Sequence, residues 1–127
     1  DEWQKRGAQE QKDYEILTAE ISKATFGVTP SEYKNLKGLE RENLRDHMDD
    51  FELLFTMLGE RSTTEIHTTK DSQGLSELKN DAKIGGNVAA VARKELEKQL
   101  KRSVVSNKNY LKKPEDKKRL DNPRDGS

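Results

Sequence analysis

Arg41–Gly74 reads RENLRDHMDDFELLFTMLGERSTTEIHTTKDSQG, and it joins an amphipathic helix to a polar segment that the helix's own packing does not explain. Asp49 or Asp50 is placed to cap a helix that begins at Phe51, with Glu52 in a first turn that favours negative charge. Phe51, Leu54, Phe55 and Leu58 recur at i, i+3, i+4 and i+7, the spacing that gathers apolar side chains on one helical face. After Met57-Leu58-Gly59 the apolar content collapses, while Glu60, Arg61, Glu65, His67, Lys70 and Asp71 keep helical spacing to about Thr69. Lys70-Asp71-Ser72-Gln73-Gly74 then supplies the break.

Working outward, Leu75, Leu78, Ala82, Gly85, Ala89, Ala92, Leu96 and Leu100 trace a second helical stripe of about seven turns. Its middle is made of very small residues. Two adjacent glycines inside a helix cost about 2 kcal/mol together, so Gly85-Gly86 predicts either a break or a close crossing with a neighbouring backbone. A phosphate cradle is the weaker reading, because no strand precedes the pair and no Lys-Ser/Thr follows it. On the N-terminal side, Tyr14, Leu17, Ile21 and Ala24 predict a helix over 9–24 that stops at Gly27. Thr29-Pro30-Ser31-Glu32 carries a capping box with proline at the first helical position, and opens a short helix to Lys37-Gly38. A brief helix is expected from Glu40 to His47. Val104-Val105 is expected to pack back on the body as an extended piece.

The chain has 127 residues, of which 30% are hydrophobic and 38% charged, so it holds at most one domain with a thin core. The expectation is an all-α bundle of four to five helices over 9–112, a flexible segment over 1–8 and a disordered basic tail over 113–127. The formal charge is zero, yet residues 1–92 carry net −6 and residues 93–119 net +7. Zero cysteines exclude a disulfide framework and cysteine-based metal sites, and fit a reducing compartment. No run approaches a membrane span and no secretory n-region and h-region opens the chain, which makes the cytoplasm the expected location. A start on Asp1-Glu2-Trp3 rather than methionine suggests a piece of something longer.

Arg61, Glu65, His67 and Lys70 admit two main readings, a threonine-anchored polar network between helices or a recognition surface; catalysis is the least favoured. Arg61 and Glu65 meet at i, i+4, whereas Glu65 and His67 face different ways. With Gly85, Ala89 and Ala92 of the small-residue stripe, they make up the expected interaction set. His47 reads as a satisfied residue at a helix end. Asp46, Asp49 and Asp50 are better accounted for by capping than by a divalent ion, since the EF-hand ligand order is missing. No Ser-His-Asp or Cys-His constellation is specified, so neither an enzyme nor a cofactor or metal is expected. Arg93, Lys94, Lys98, Lys101, Arg102 and Lys108 form the alternative, a basic surface for phosphate contact without base reading.

Several segments bear a further likeness. TPSEYKNLKGL (Thr29–Leu39), ENLRDHM (Glu42–Met48), LLFTMLGE (Leu53–Glu60), TTEI (Thr63–Ile66), GGNVA (Gly85–Ala89), ARKELE (Ala92–Glu97) and VVSNKNYL (Val104–Leu111) resemble, in the same order, the C-terminal region of prophage antirepressor and DNA-damage-inducible protein D proteins. Those proteins carry a BRO-type N-terminal domain to which DNA binding is assigned. The likeness covers residues 25–112 and implies an accessory helical module of a phage or DNA-damage regulator; the low apolar content adds the expectation that it self-associates or engages another protein of that pathway by burying its alanine-glycine helix face. Arg61 and His67 depart from the family pattern.

Overall fold

The computed structural model describes residues 2–109. Among them the fold is all-α, with five α-helices and one 3-10 turn: α1 (Glu2–Lys5), α2 (Gln11–Phe26), α3 (Pro30–Lys37), the 3-10 turn (Leu44–His47), α4 (Asp50–Lys70) and α5 (Leu75–Leu100). The expected tail over 113–127 lies outside the described residues.

Local chemistry sets most of the boundaries. Thr29 accepts the Glu32 N–H at 3.2 Å while Glu32 accepts the Thr29 N–H at 2.9 Å, with Pro30 as the first helical residue. Asp49 and Glu52 make the same reciprocal box at the start of α4. Gly27 and Gly38 close α2 and α3 in the left-handed conformation, which costs a residue without Cβ little. The expected helix over Glu40–His47 reduces to the single turn Leu44–His47, which Asn43 caps through the Arg45 N–H.

α5 packs lengthwise on α4 and on α2, and these three helices make the body. They meet through small residues. A Cβ on Gly85 would fall 2.6 Å from the Thr63 backbone nitrogen, and one on Gly86 would fall 2.8 Å from the Ile21 carbonyl oxygen. The glycine pair is therefore the close crossing, with α4 on one side of α5 and α2 on the other. Two apolar clusters flank it. Phe26, Tyr33, Met48, Phe55 and Val104 gather where α3 meets the start of α4, and Ala8, Leu17 and Leu78 gather at the other end with Trp3 and Tyr14.

Two expectations need correcting. The segment over 1–8, read as flexible, makes a helical turn from residue 2 and docks: Ala8 is buried, and the Arg6 carbonyl accepts the Gly74 N–H at 2.6 Å. The expected apolar face of α4 is also turned. Phe55 is buried, but Leu54 and Leu58 point to solvent, and the inward stripe is Glu52, Phe55, Gly59, Thr63 and His67. The glycine and threonine allow α5 and α2 to approach closely, while Glu52 and His67 each find a buried partner. That combination outweighs the gain of burying two leucines.

Candidate functional site

His67 is completely buried at the end of α4, and its two ring nitrogens have different partners. The Trp3 indole N–H donates to Nε2 at 3.2 Å, and Nδ1 lies 2.9 Å from Asp81 Oδ2. An indole nitrogen can only donate, so Nε2 is the acceptor and Nδ1 carries the proton toward Asp81. The Ser72 hydroxyl donates to the same Asp81 oxygen, and the Lys70 ammonium stands 3.1 Å from Oδ1. Burial pushes the Asp81 carboxyl up; the hydrogen bonds from Ser72 and His67 and the Lys70 charge outweigh it and hold the carboxyl below its ordinary value. Serine, histidine and aspartate thus meet, but with the carboxylate in the middle. The hydroxyl faces the carboxylate rather than the histidine, whose lone pair is taken by an indole, and the arrangement links α1, α4, α5 and the loop between α4 and α5.

A second buried network holds the other end. Glu52 accepts from the Tyr33 hydroxyl and from the Lys37 ammonium at 3.1 Å, and Lys37 also donates to the Lys108 carbonyl at 2.6 Å. Burial, then the Glu52 carboxylate, pushes the Tyr33 hydroxyl far above its usual range, so it stays a neutral donor. His47, buried beside this cluster, pairs through Nδ1 with the Asn109 side-chain oxygen.

The residues expected to mediate interaction are dispersed. Arg61 and Glu65 form an exposed ion pair at 3.1 Å, and Lys70 serves Asp81. His67, Gly85 and Ala89 are sealed inside the monomer, out of reach of a partner, while Ala92 is on the surface. Nor do threonines anchor a network between helices: Thr56, Thr63, Thr64 and Thr68 each donate to the carbonyl four residues earlier in α4. Within the basic set Arg93 is withdrawn from the surface. Its Nε donates to the Thr25 carbonyl at 2.7 Å, covering the C-terminal end of α2, and Nη1 reaches Glu97 at 2.9 Å. Glu97 in turn accepts the Val104 N–H at 2.8 Å, which folds the segment after α5 into the core. Lys94, Lys98, Lys101, Arg102 and Lys108 remain exposed. Asp49 is spent on capping α4, and Asp50 accepts the Phe51 N–H at 3.0 Å.

What the surface does offer is apolar. Leu54, Met57 and Leu58 on α4, with Ile84, Val88 and Val91 on α5, are between 37% and 62% exposed, although a carboxylate, a histidine and a lysine are fully interior. Leu54 and Leu58 are four apart, and Ile84, Val88 and Val91 follow at i, i+4 and i+7, so each helix presents a stripe. Gly59 lies against Ala89 and Thr63 against Gly85, which fixes the two helices as an antiparallel pair. A separate cleft of about 450 Å³ opens between α2, the 3-10 turn and α4; Phe26, Leu44 and Met48 line it, and the Arg45–Glu60 ion pair stands at its edge.

Trp3, Ser72, Asp81, Tyr33 and Lys37 escaped the sequence reading as partners. One signal was available: Asp81 sits three residues after Leu78 and four before Gly85, on the small-residue stripe, and a carboxylate there needs a buried donor. No protein-family model, curated protein or solved structure matches the chain.

Proposed function

We propose that this chain is a helical self-association module of a prophage or DNA-damage-response regulatory protein, acting in the cytoplasm without catalysing a reaction. One observation carries the reading: large apolar side chains are left outward on α4 and α5, among them Ile84, Val88 and Val91 along one side of α5. An exposed apolar stripe along a helix marks an interaction site, and in a chain this poor in hydrophobic residues it is costly to leave wet. A second copy is the simplest partner, because a two-fold contact buries the same stripe on both sides. Among the described residues no helix is long and apolar enough to cross a membrane.

Sedimentation velocity from a few micromolar to about 1 mM should reveal a monomer–dimer equilibrium in the range typical of small interfaces. Val91→Asp should leave the chain monomeric with an unchanged helical circular dichroism spectrum, since Val91 is exposed. A wild-type chain that stays monomeric throughout would refute the proposal.

A second reading is favoured by a different feature. Lys94, Lys98 and Lys101 are exposed at i, i+4 and i+7 and enter no ion pair among the described residues. Such a stripe suits phosphate contact, which predicts weak DNA binding that falls steeply with salt and loses about one unit of log–log salt slope per lysine neutralised. Fluorescence anisotropy with duplex and single-stranded DNA measures it, and absence of binding at low salt would exclude it.

A further inference from the structure

We propose that two copies of this chain pair through α5, running antiparallel about a two-fold axis at Asn87 and Val88. This rests on the self-association reading above and specifies its partner and register. Glu77, Ile84, Val91 and Lys98 are each seven residues apart, with Val88 between the inner two, so the five share one side of α5. All five are exposed. Read along the helix, the side is acidic at Glu77, apolar three times, then carries Glu95, which accepts from the Gln99 amide at 2.9 Å, and ends basic at Lys98, over roughly 30 Å.

That order is self-complementary in one direction only. Reversal about the midpoint between residues 87 and 88 exchanges Ile84 with Val91 and Glu77 with Lys98. An antiparallel two-fold contact therefore sets Val88 against Asn87 at the axis, Ile84 against Val91 on either side of it, and carboxylate against ammonium at both ends. A parallel pairing sets Glu77 against Glu77 and Lys98 against Lys98, and like charges facing each other disfavour it. Glu77 Oε1 accepts the Gln73 N–H at 2.8 Å, which holds the carboxylate at the start of the helix where the partner's Lys98 would arrive. The buried stripe of the same helix, which includes Gly85, Ala89 and Arg93, is occupied within the monomer and unavailable for pairing.

Because the chain has no cysteine, single introduced thiols report the register without background. In the full chain, Asn87→Cys should form an intermolecular disulfide readily under mild oxidation. Glu77→Cys alone should not, since its two copies would lie roughly 30 Å apart, whereas a mixture of the Glu77→Cys and Lys98→Cys chains should give the heterodimer. Glu77→Lys should weaken the dimer about fivefold to tenfold, and Glu77→Lys with Lys98→Glu in one chain should restore it. If sedimentation shows a dimer but Glu77→Cys cross-links to itself or Asn87→Cys does not, the antiparallel register is wrong and self-association stands. If the wild-type chain is monomeric, both fall together.

Discussion

Gly85 shows how one residue decides the spacing of the helices. Alanine there would gain about 1 kcal/mol of helix propensity, but its methyl would sit 2.7 Å from the Thr63 Cα, and backbone cannot step aside as a side chain can. Gly85→Ala should therefore lower stability by about 2–3 kcal/mol net. At Gly59 the nearest atom is the Thr25 hydroxyl at 2.6 Å, a side chain, so Gly59→Ala should cost less. Asn87→Ala, on the exposed side of α5, should be neutral or slightly stabilising. Urea unfolding midpoints rank the three, and a Gly85→Ala chain as stable as wild type would contradict the close crossing. The glycine pair was legible in the sequence as a crossing, because two glycines in a helical stripe need a reason; which backbone lay against each was not.

At the scale of elements, α4 is governed by where its charged residues end up. Glu52 begins the helix as the third residue of a capping box, a role readable from spacing alone, and the same carboxylate is the buried anchor for Tyr33 and Lys37 of α3. Lys37→Met would leave that carboxylate buried without its cation and should destabilise the chain by about 3–5 kcal/mol. Lys37→Met with Glu52→Gln removes both charges and should recover much of the loss, as thermal unfolding of the single and double variants would reveal. Equal stability of the single and double variants would mean that the pair is not coupled. Periodicity favoured the leucine face of α4 because counting apolar residues assumes that charged ones stay wet. That assumption fails where two buried networks accept them.

Over the whole molecule, the Trp3–His67–Asp81–Ser72 network ties the N-terminal turn to the α4–α5 hairpin, and its strength depends on pH. The folded Asp81 carboxyl lies below the ordinary value of 3.8. Its contribution is therefore complete above that value and is lost as the pH falls through the lower folded value. Urea midpoints measured from neutral pH downward should drop on this acid limb, and Asp81→Asn should flatten the drop while lowering stability at neutral pH. Trp3→Phe should cost about 1–2 kcal/mol by leaving the buried His67 Nε2 unpartnered, with the change confined to the end of the bundle that holds Ala8, Leu17 and Leu78.

Caps, breaks and periodicity are local, so the residues alone specified four elements close to their observed limits: Thr29-Pro30 opening α3, Asp49 or Asp50 opening α4, Gly27 and Gly38 as stops of α2 and α3, and the long stripe from Leu75 to Leu100. Only the tertiary structure decided which face of each helix turned inward. That choice depends on pairs distant in the chain, Glu52 with Lys37, His67 with Trp3 and Asp81, Gly85 with Thr63, whose energy exists only once the helices meet. The same pairs that drew polar groups inward left Leu54, Ile84, Val88 and Val91 outside, and so moved the candidate interface from the glycine-alanine stripe to the opposite side of α5.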